Sequence, residues 1–282
     1  MCKLVDKLKD RKVILCMGKI NLLSKINLGL ATVLVLILLC ASNSYGETQP
    51  YKVGDIIQNN LEFNSGRTII PLPDNEKYVV GVVKKKTSKG APTTMHDLML
   101  YHTNEKNELI KAIRITITAS TSTWWKTPKS CKSDRPYFQG SYVKGKTFNC
   151  WFIGHGSTAL SSDKIKPKSF WGMVRKYQKD SRIIMPDIVV NEYHQYASTN
   201  HKNKYHVVNI HHNPLVHGME PSTGKSFSTA DYNPTKIMKF PKKEKFMEDL
   251  IKTSAIYHKA FEESIGVKER QRVNTSKYIS SN

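Results

Sequence analysis

The chain has 282 residues, 39% hydrophobic and 24% charged, with a net charge of +21 from 44 basic and 23 acidic side chains. The apolar share supports a packed core and excludes a wholly disordered chain; the charge admits nucleic acid, anionic lipid or an acidic polymer as partners. Only eight of the basic residues are arginines. Bidentate reading of phosphates and bases favours arginine over the hydrated point charge of lysine, so nucleic acid is disfavoured. The partner is unknown, with an envelope protein or an acidic polymer as candidates.

Seven basic and two acidic residues between Lys3 and Lys25 precede an uninterrupted apolar run, Leu28 to Ala41. Its 14 residues match a signal-peptide core and fall short of the roughly 20 a membrane-spanning helix needs. Ser44 and Gly46 put small residues before Glu47, so residues 1–46 read as a signal peptide cleaved at that point. Two alternatives stay open. Residues 28–41 could remain as an uncleaved anchor with the basic flank in the cytoplasm, or Cys40 could be lipidated, against which Leu39 argues. Met17 offers a second start with a leader of more ordinary length. Every version places the body in the periplasm or outside the cell, or on an inner-membrane anchor facing the periplasm.

Cys2, Cys16 and Cys40 fall in the leader, leaving Cys131 and Cys150 in the body. In an oxidising compartment an isolated pair is most simply a disulfide, which would contribute about 3 kcal/mol by closing its loop. The rival is a Cys150 thiolate activated by His155.

The body, residues 47–266, reads as one globular α+β domain. Tyr51 to Phe63 is mixed, with Val53, Ile56, Ile57, Leu61 and Phe63 as core candidates. Thr68 to Leu72 is a short strand, and Tyr78 to Val83 a buried one that Lys84–Lys86 should return to water. Asp97–His102 and Leu109–Thr118 form a hairpin turning at Asn104–Asn107, the second arm alternating Ile113, Ile115 and Ile117 with polar residues. This predicts an antiparallel meander. Trp124-Trp125 and an aromatic segment around the cysteines follow; its Trp151, His155 and Ser157 are a candidate functional loop. Gly154-His155-Gly156 is no nucleophile elbow, because histidine holds the place where the elbow needs serine. A loop after a disulfide accounts for the glycines, and no residue earns a catalytic assignment.

Phe170–Lys179 reads as a short helix with Trp171 and Val174 inward. Ile183–Tyr196, interrupted at Pro186, and Tyr205–Ile210 form a second hairpin, closed by Asn213-Pro214. A long helix starts near Pro241 and stops at Gly266. Met247, Leu250, Ile251, Ser254, Tyr257, Phe261 and Ile265 recur on one face of it. Residues 267–282 read as a flexible polar tail. The expected architecture is an antiparallel sheet, a meander partly closed or sandwich-like, packed against the C-terminal helix.

Histidines are the chemical lead, with His194, His201, His206, His211, His212 and His217 falling within 24 residues. A divalent transition metal on His194, His206, His211 and His212 is conceivable, with Glu192 as a further ligand, although His211 points away from its neighbours on a strand. Without a metal they are expected at the surface of the hairpin, and no cofactor is implied.

Two patterns add a resemblance. Asn149-Cys150-Trp151-Phe152-Ile153-Gly154-His155 is similar to a Cys-Trp segment in a group of uncharacterised exported proteobacterial proteins, as are Asn209–Gly218 and Thr235–Phe261. The resemblance implies an exported single domain with a cysteine pair and carries no activity. The sequence therefore suggests a non-enzymatic binding or structural protein of the envelope. The alternative is an exported metal-dependent or hydrolytic enzyme using His155 or the His194–His217 cluster.

Overall fold

The computed structural model describes residues 50–63, 68–87, 94–120, 137–145, 147–158, 165–198 and 204–273, which belong to one compact unit beginning at Gln49. In chain order the strands are β1 (Ile56–Ile57), β2 (Asn60–Phe63), β3 (Thr68–Pro71), β4 (Tyr78–Thr87), β5 (Thr94–Thr103), β6 (Leu109–Ser120), β7 (Phe138–Lys144), β8 (Thr147–Ser157), β9 (Ile188–Ser198) and β10 (Lys204–His212). The helices are α1 (Phe170–Asp180) and α2 (Pro241–Ser264).

The architecture is α+β, mostly antiparallel. Among the described residues eight strands form one sheet in the order β1-β4-β5-β6-β10-β9-β8-β7, and β2 pairs with β3 in a second, small sheet. The expected meander is β4-β5-β6. The second hairpin pairs Ser198 with Lys204, and β10 then lies antiparallel to β6, so Val208 faces both Ile115 and His194. That seam joins the two halves of the sheet.

Side chains alternate across a strand, so each face has its own cover. On one face Leu98, Leu100, Ile113, Ile115, Ile117, Val208 and Ile210 pack with Leu61, Phe63 and Ile70 of the small sheet and with Tyr257 and Phe261 of α2. Trp151, Ile153 and Val190 extend this layer under Met247, Leu250 and Ile251 of the same helix. On the opposite face Val82, Met99, Tyr101, Ala112 and Val189 pack against Phe170 and Val174 of α1. The guanidinium of Arg114 lies 5.0 Å and 5.3 Å from the ring centres of Phe170 and Trp171.

Both helices carry the signals expected of their ends. Ser169 caps α1, its hydroxyl accepting from the Gly172 amide. Pro241 opens α2, and Gly266 follows it at a φ of 68°.

Four local expectations are corrected. β4 does not stop before the lysines. Lys84, Lys85 and Lys86 pair with Asp97, His96 and Met95 of β5, while β1 covers only Tyr78 and Val79 on the other side. Among the described residues the lysine stretch is thus an edge, where charged side chains discourage another strand from adding. Val53 and Ile56 are exposed, and only Leu61 and Phe63 of that candidate set are buried outright. Gly154-His155-Gly156 belongs to β8, not to a loop. Of the stretch read as a tail, residues 267–273 are packed: Val267 and Val273 are buried in the two halves of the core, and the Val273 amide donates to Glu262. Cys131, Trp124, Trp125 and His201 lie outside the described residues.

A candidate site built from a buried histidine–carboxylate chain

The register of β8, β9 and β10 places Asn149, Glu192, His194, His206 and His212 on the face that α2 covers. All of them are buried, His194 completely, and the expected surface histidines are in fact core residues. His206, beside Tyr196 at the far end of this face, sits diagonally from His194 as the hairpin spacing predicts. His211 points to the α1 face and is joined to the Asn191 side chain at 2.7 Å. His217 is exposed, in a short 3-10 turn at Pro214–His217. Among the described residues no group of three or more His, Cys, Asp or Glu is arranged to hold a metal ion.

What the fold assembles instead is a linear chain. His212 Nε2 donates to Glu192 Oε1, and His194 Nε2 lies 3.4 Å from the other Glu192 oxygen. His194 Nδ1 meets His258 Nδ1 at 3.1 Å, and His258 Nε2 lies 3.5 Å from Glu262 Oε1. Asn149 Nδ2 closes the far end, donating to Glu262 at 2.5 Å. The two central imidazoles are enclosed by aromatic rings: Trp151 stacks on His194 at 6.1 Å, Tyr257 meets its edge at 4.7 Å, and Phe261 lies 5.9 Å from His258.

Protons are scarce along this chain. The contacts Glu192–His194 and His194–His258 take one proton each, the two that a pair of neutral imidazoles supplies, so His258 Nε2 faces Glu262 at 3.5 Å without making a hydrogen bond. A third proton would make one ring an imidazolium, which the surrounding apolar rings oppose. Burial lowers the proton affinity of His194, opposed by Glu192, and pushes His258 down to about 4, opposed by Glu262. Burial also works against ionising Glu192, but His212 and the hydrogen bonds from both histidines hold its carboxyl well below the usual range. Glu262 is likewise held low by His258, the Val273 amide and Asn149, against its burial. The native chain therefore has two charged ends and a neutral centre, and each carboxylate has a donor besides the central pair.

The other candidates are similarly committed to the fold. Trp151 is fully buried. His155 Nε2 lies 2.8 Å from the Phe227 carbonyl, and its ring stacks on the Phe227 ring at 4.5 Å. Cys150 lies on the opposite face of β8 from His155, five positions away along the strand, so the two cannot act as a catalytic pair. A second buried polar knot was absent from the sequence reading. Lys243 at the start of α2 pairs with Asp231 at 2.6 Å, both nearly inaccessible. Thr223 donates its hydroxyl and amide to that carboxylate.

His258 and Glu262 were also missed, although a signal existed. They sit one position after Tyr257 and Phe261 on the stripe already assigned to the sheet-facing side, so polar residues there had to be buried with partners. No protein family, curated protein or solved structure matches the chain.

Proposed function

We propose that this is a non-enzymatic binding or structural protein of the cell envelope. The observation supporting this most directly is that His194 and His258, the groups best suited to proton or metal chemistry, are sealed beneath α2 within Trp151, Tyr257 and Phe261. A reacting centre must admit substrate and usually sits in an open cleft. Here the histidines join sheet to helix. The export part of the reading rests on the basic leader, the apolar run 28–41 and the small residues before Glu47. The net charge of +21 favours an acidic partner in the envelope.

The test combines location with turnover. Fractionation of cells producing the protein should recover it from the envelope, outside the cytoplasm. The purified protein should not turn over chromogenic phosphoesters, carboxyl esters, glycosides or peptides in a way that His155→Ala or His194→Ala abolishes. Turnover lost in a folded variant would replace this reading with the hydrolytic alternative.

A further inference from the structure

Beyond Val80 the outer edge of β4 is open among the described residues. Gly54 and Asp55, just before β1, still bond Val80 there, and from Val82 to Thr87 the strand pairs only with β5. Lys84 and Lys86 face Asp97 and Met95 on the α1 side of this stretch, about 7 Å apart at two residues' spacing. Asp97 is engaged by Arg114 at 3.2 Å and by the Thr116 hydroxyl. Lys84 instead donates to the Lys168 carbonyl at 2.7 Å, which draws the loop carrying Lys166 and Lys168 alongside β4. That loop is pressed on the first turn of α1, where a Cβ on Gly172 would meet the Lys166 and Pro167 carbonyls at 2.4 Å and 2.5 Å. The first turn of α1 has no acidic residue, so the positive end of its dipole adds to the same corner. Elsewhere Lys111, Lys176, Lys225, Lys243 and Lys245 each hold a carboxylate. Lys84, Lys86, Lys166 and Lys168 form no ion pair among the described residues.

We propose that this edge binds an acidic segment of a partner protein, added to β4 as an extended strand. An open ladder edge presents a regular row of hydrogen-bonding groups that an extended peptide completes and a polysaccharide does not match. Acidic side chains at alternate positions of such a peptide repeat about every 7 Å, the spacing of Lys84 and Lys86. The lysines that keep a basic copy of this chain from adding attract an acidic strand. An acidic peptide partner presupposes that the chain is a binding protein, without requiring that it be exported.

The probe is a blocked decapeptide alternating threonine and glutamate, with its glutamine counterpart and polygalacturonate as controls, titrated into the whole chain. The acidic peptide should bind with a Kd on the order of 100 µM at low salt, and the glutamine peptide about tenfold more weakly. Hydrogen exchange of amides within Val82–Thr87 should slow on binding, because ladder bonds cover them. Lys86→Glu, Lys166→Glu and Lys168→Glu together, all at exposed positions, should weaken binding about tenfold or more. Lys239→Glu, Lys242→Glu and Lys259→Glu together, equally exposed and equal in charge change, should alter it by less than about threefold. Absence of binding, equal losses in the two triple variants, or binding that leaves exchange at Val82–Thr87 unchanged overturns the proposal. Tighter binding of polygalacturonate at the same amides overturns it in favour of a polysaccharide partner. A negative result here leaves recovery from the envelope as it stands, and loss of the envelope location leaves peptide binding to be read by itself.

Discussion

His194 Nδ1 on β9 lies 3.1 Å from His258 Nδ1 on α2, a single contact that joins the middle of the sheet to the helix covering it. One ring must donate and the other accept, so the contact exists only while at least one imidazole is neutral. Its position under Trp151 and Phe261 makes it a fastening for α2.

Replacing one partner should therefore cost more than the bond itself, because the other ring is left buried and unpaired. His258→Phe is expected to lower unfolding stability by about 2 kcal/mol in urea titrations. Combined with His194→Phe, the double variant should lose less than the sum, with a coupling of about 1 kcal/mol. Strictly additive losses would show that the two rings contribute independently.

Acid should loosen the protein. Burial pushes His258 down to about 4 from an ordinary value of 6.5, and lowers His194 as well. His211, buried beside His212 and Arg114, is also pushed down to about 4. The unfolded chain takes up protons at these rings near pH 6.5; in the native state His258 and His211 refuse them until near pH 4, and His194 is shifted in the same direction. The stability they contribute is thus present above pH 6.5 and lost as pH falls through that window, by about 3 kcal/mol for a group shifted as far as His258. Glu192 and Glu262, held below their ordinary 4.5, add to the loss at still lower pH. The melting temperature at constant ionic strength should fall steadily from pH 7 to pH 4.5, with a shallower slope in His258→Phe. A melting temperature that rises over that interval would contradict the assignment of neutral buried rings.

The Asp231–Lys243 pair makes a different prediction. Lys243 is fixed by Asp231, by the Pro221 carbonyl at 3.3 Å, and by the Phe240 and Tyr232 rings near 5 Å. Asp231→Asn leaves a buried ammonium without its counter-ion and should cost about 3–5 kcal/mol. Asp231→Leu with Lys243→Met together should recover much of that, since a packed apolar pair has no charge to desolvate. If the double variant is no better than Asp231→Asn, packing of the 219–233 segment rather than the charge pair sets the loss.

β3 to β6, β9, β10 and both helices were legible in the sequence because each has a local signature: alternation over Ile113–Ile117, turn residues at Asn104–Asn107, Pro241 and Gly266 bracketing α2. β7 and β8 were not, because their aromatic and glycine-rich sequence reads as a loop. The fate of Lys84–Lys86 was not legible, because charge says solvent without saying whether a strand continues along a sheet edge. The histidine chain depends on the insertion of β10 beside β6 and on which turn of α2 lies over β9. Those are relations between distant segments, and periodicity within one segment carries no information about them. Hairpin spacing did place His194 diagonally from His206, and Glu192, named from the sequence only as a further metal ligand, joins the cluster through His194 and His212.

Cys150 tests the export reading and the cross-link together. Its side chain is fully buried on the α1 face of the sheet beside Phe148 and Ala197, on the opposite face from His155. Buried thiols in apolar surroundings are inert, so an unreactive buried thiol is the rival to the bridge with Cys131 that we propose from the sequence. Intact mass of protein recovered from the envelope should match Glu47–Asn282, with a gain of two hydrogens on reduction. Cys150→Ala should lower stability by about 3 kcal/mol in the oxidised protein, and by much less when both forms are compared under reductant. A full-length mass, with Cys150 alkylated after denaturation without reductant, would exclude both cleavage and bridge.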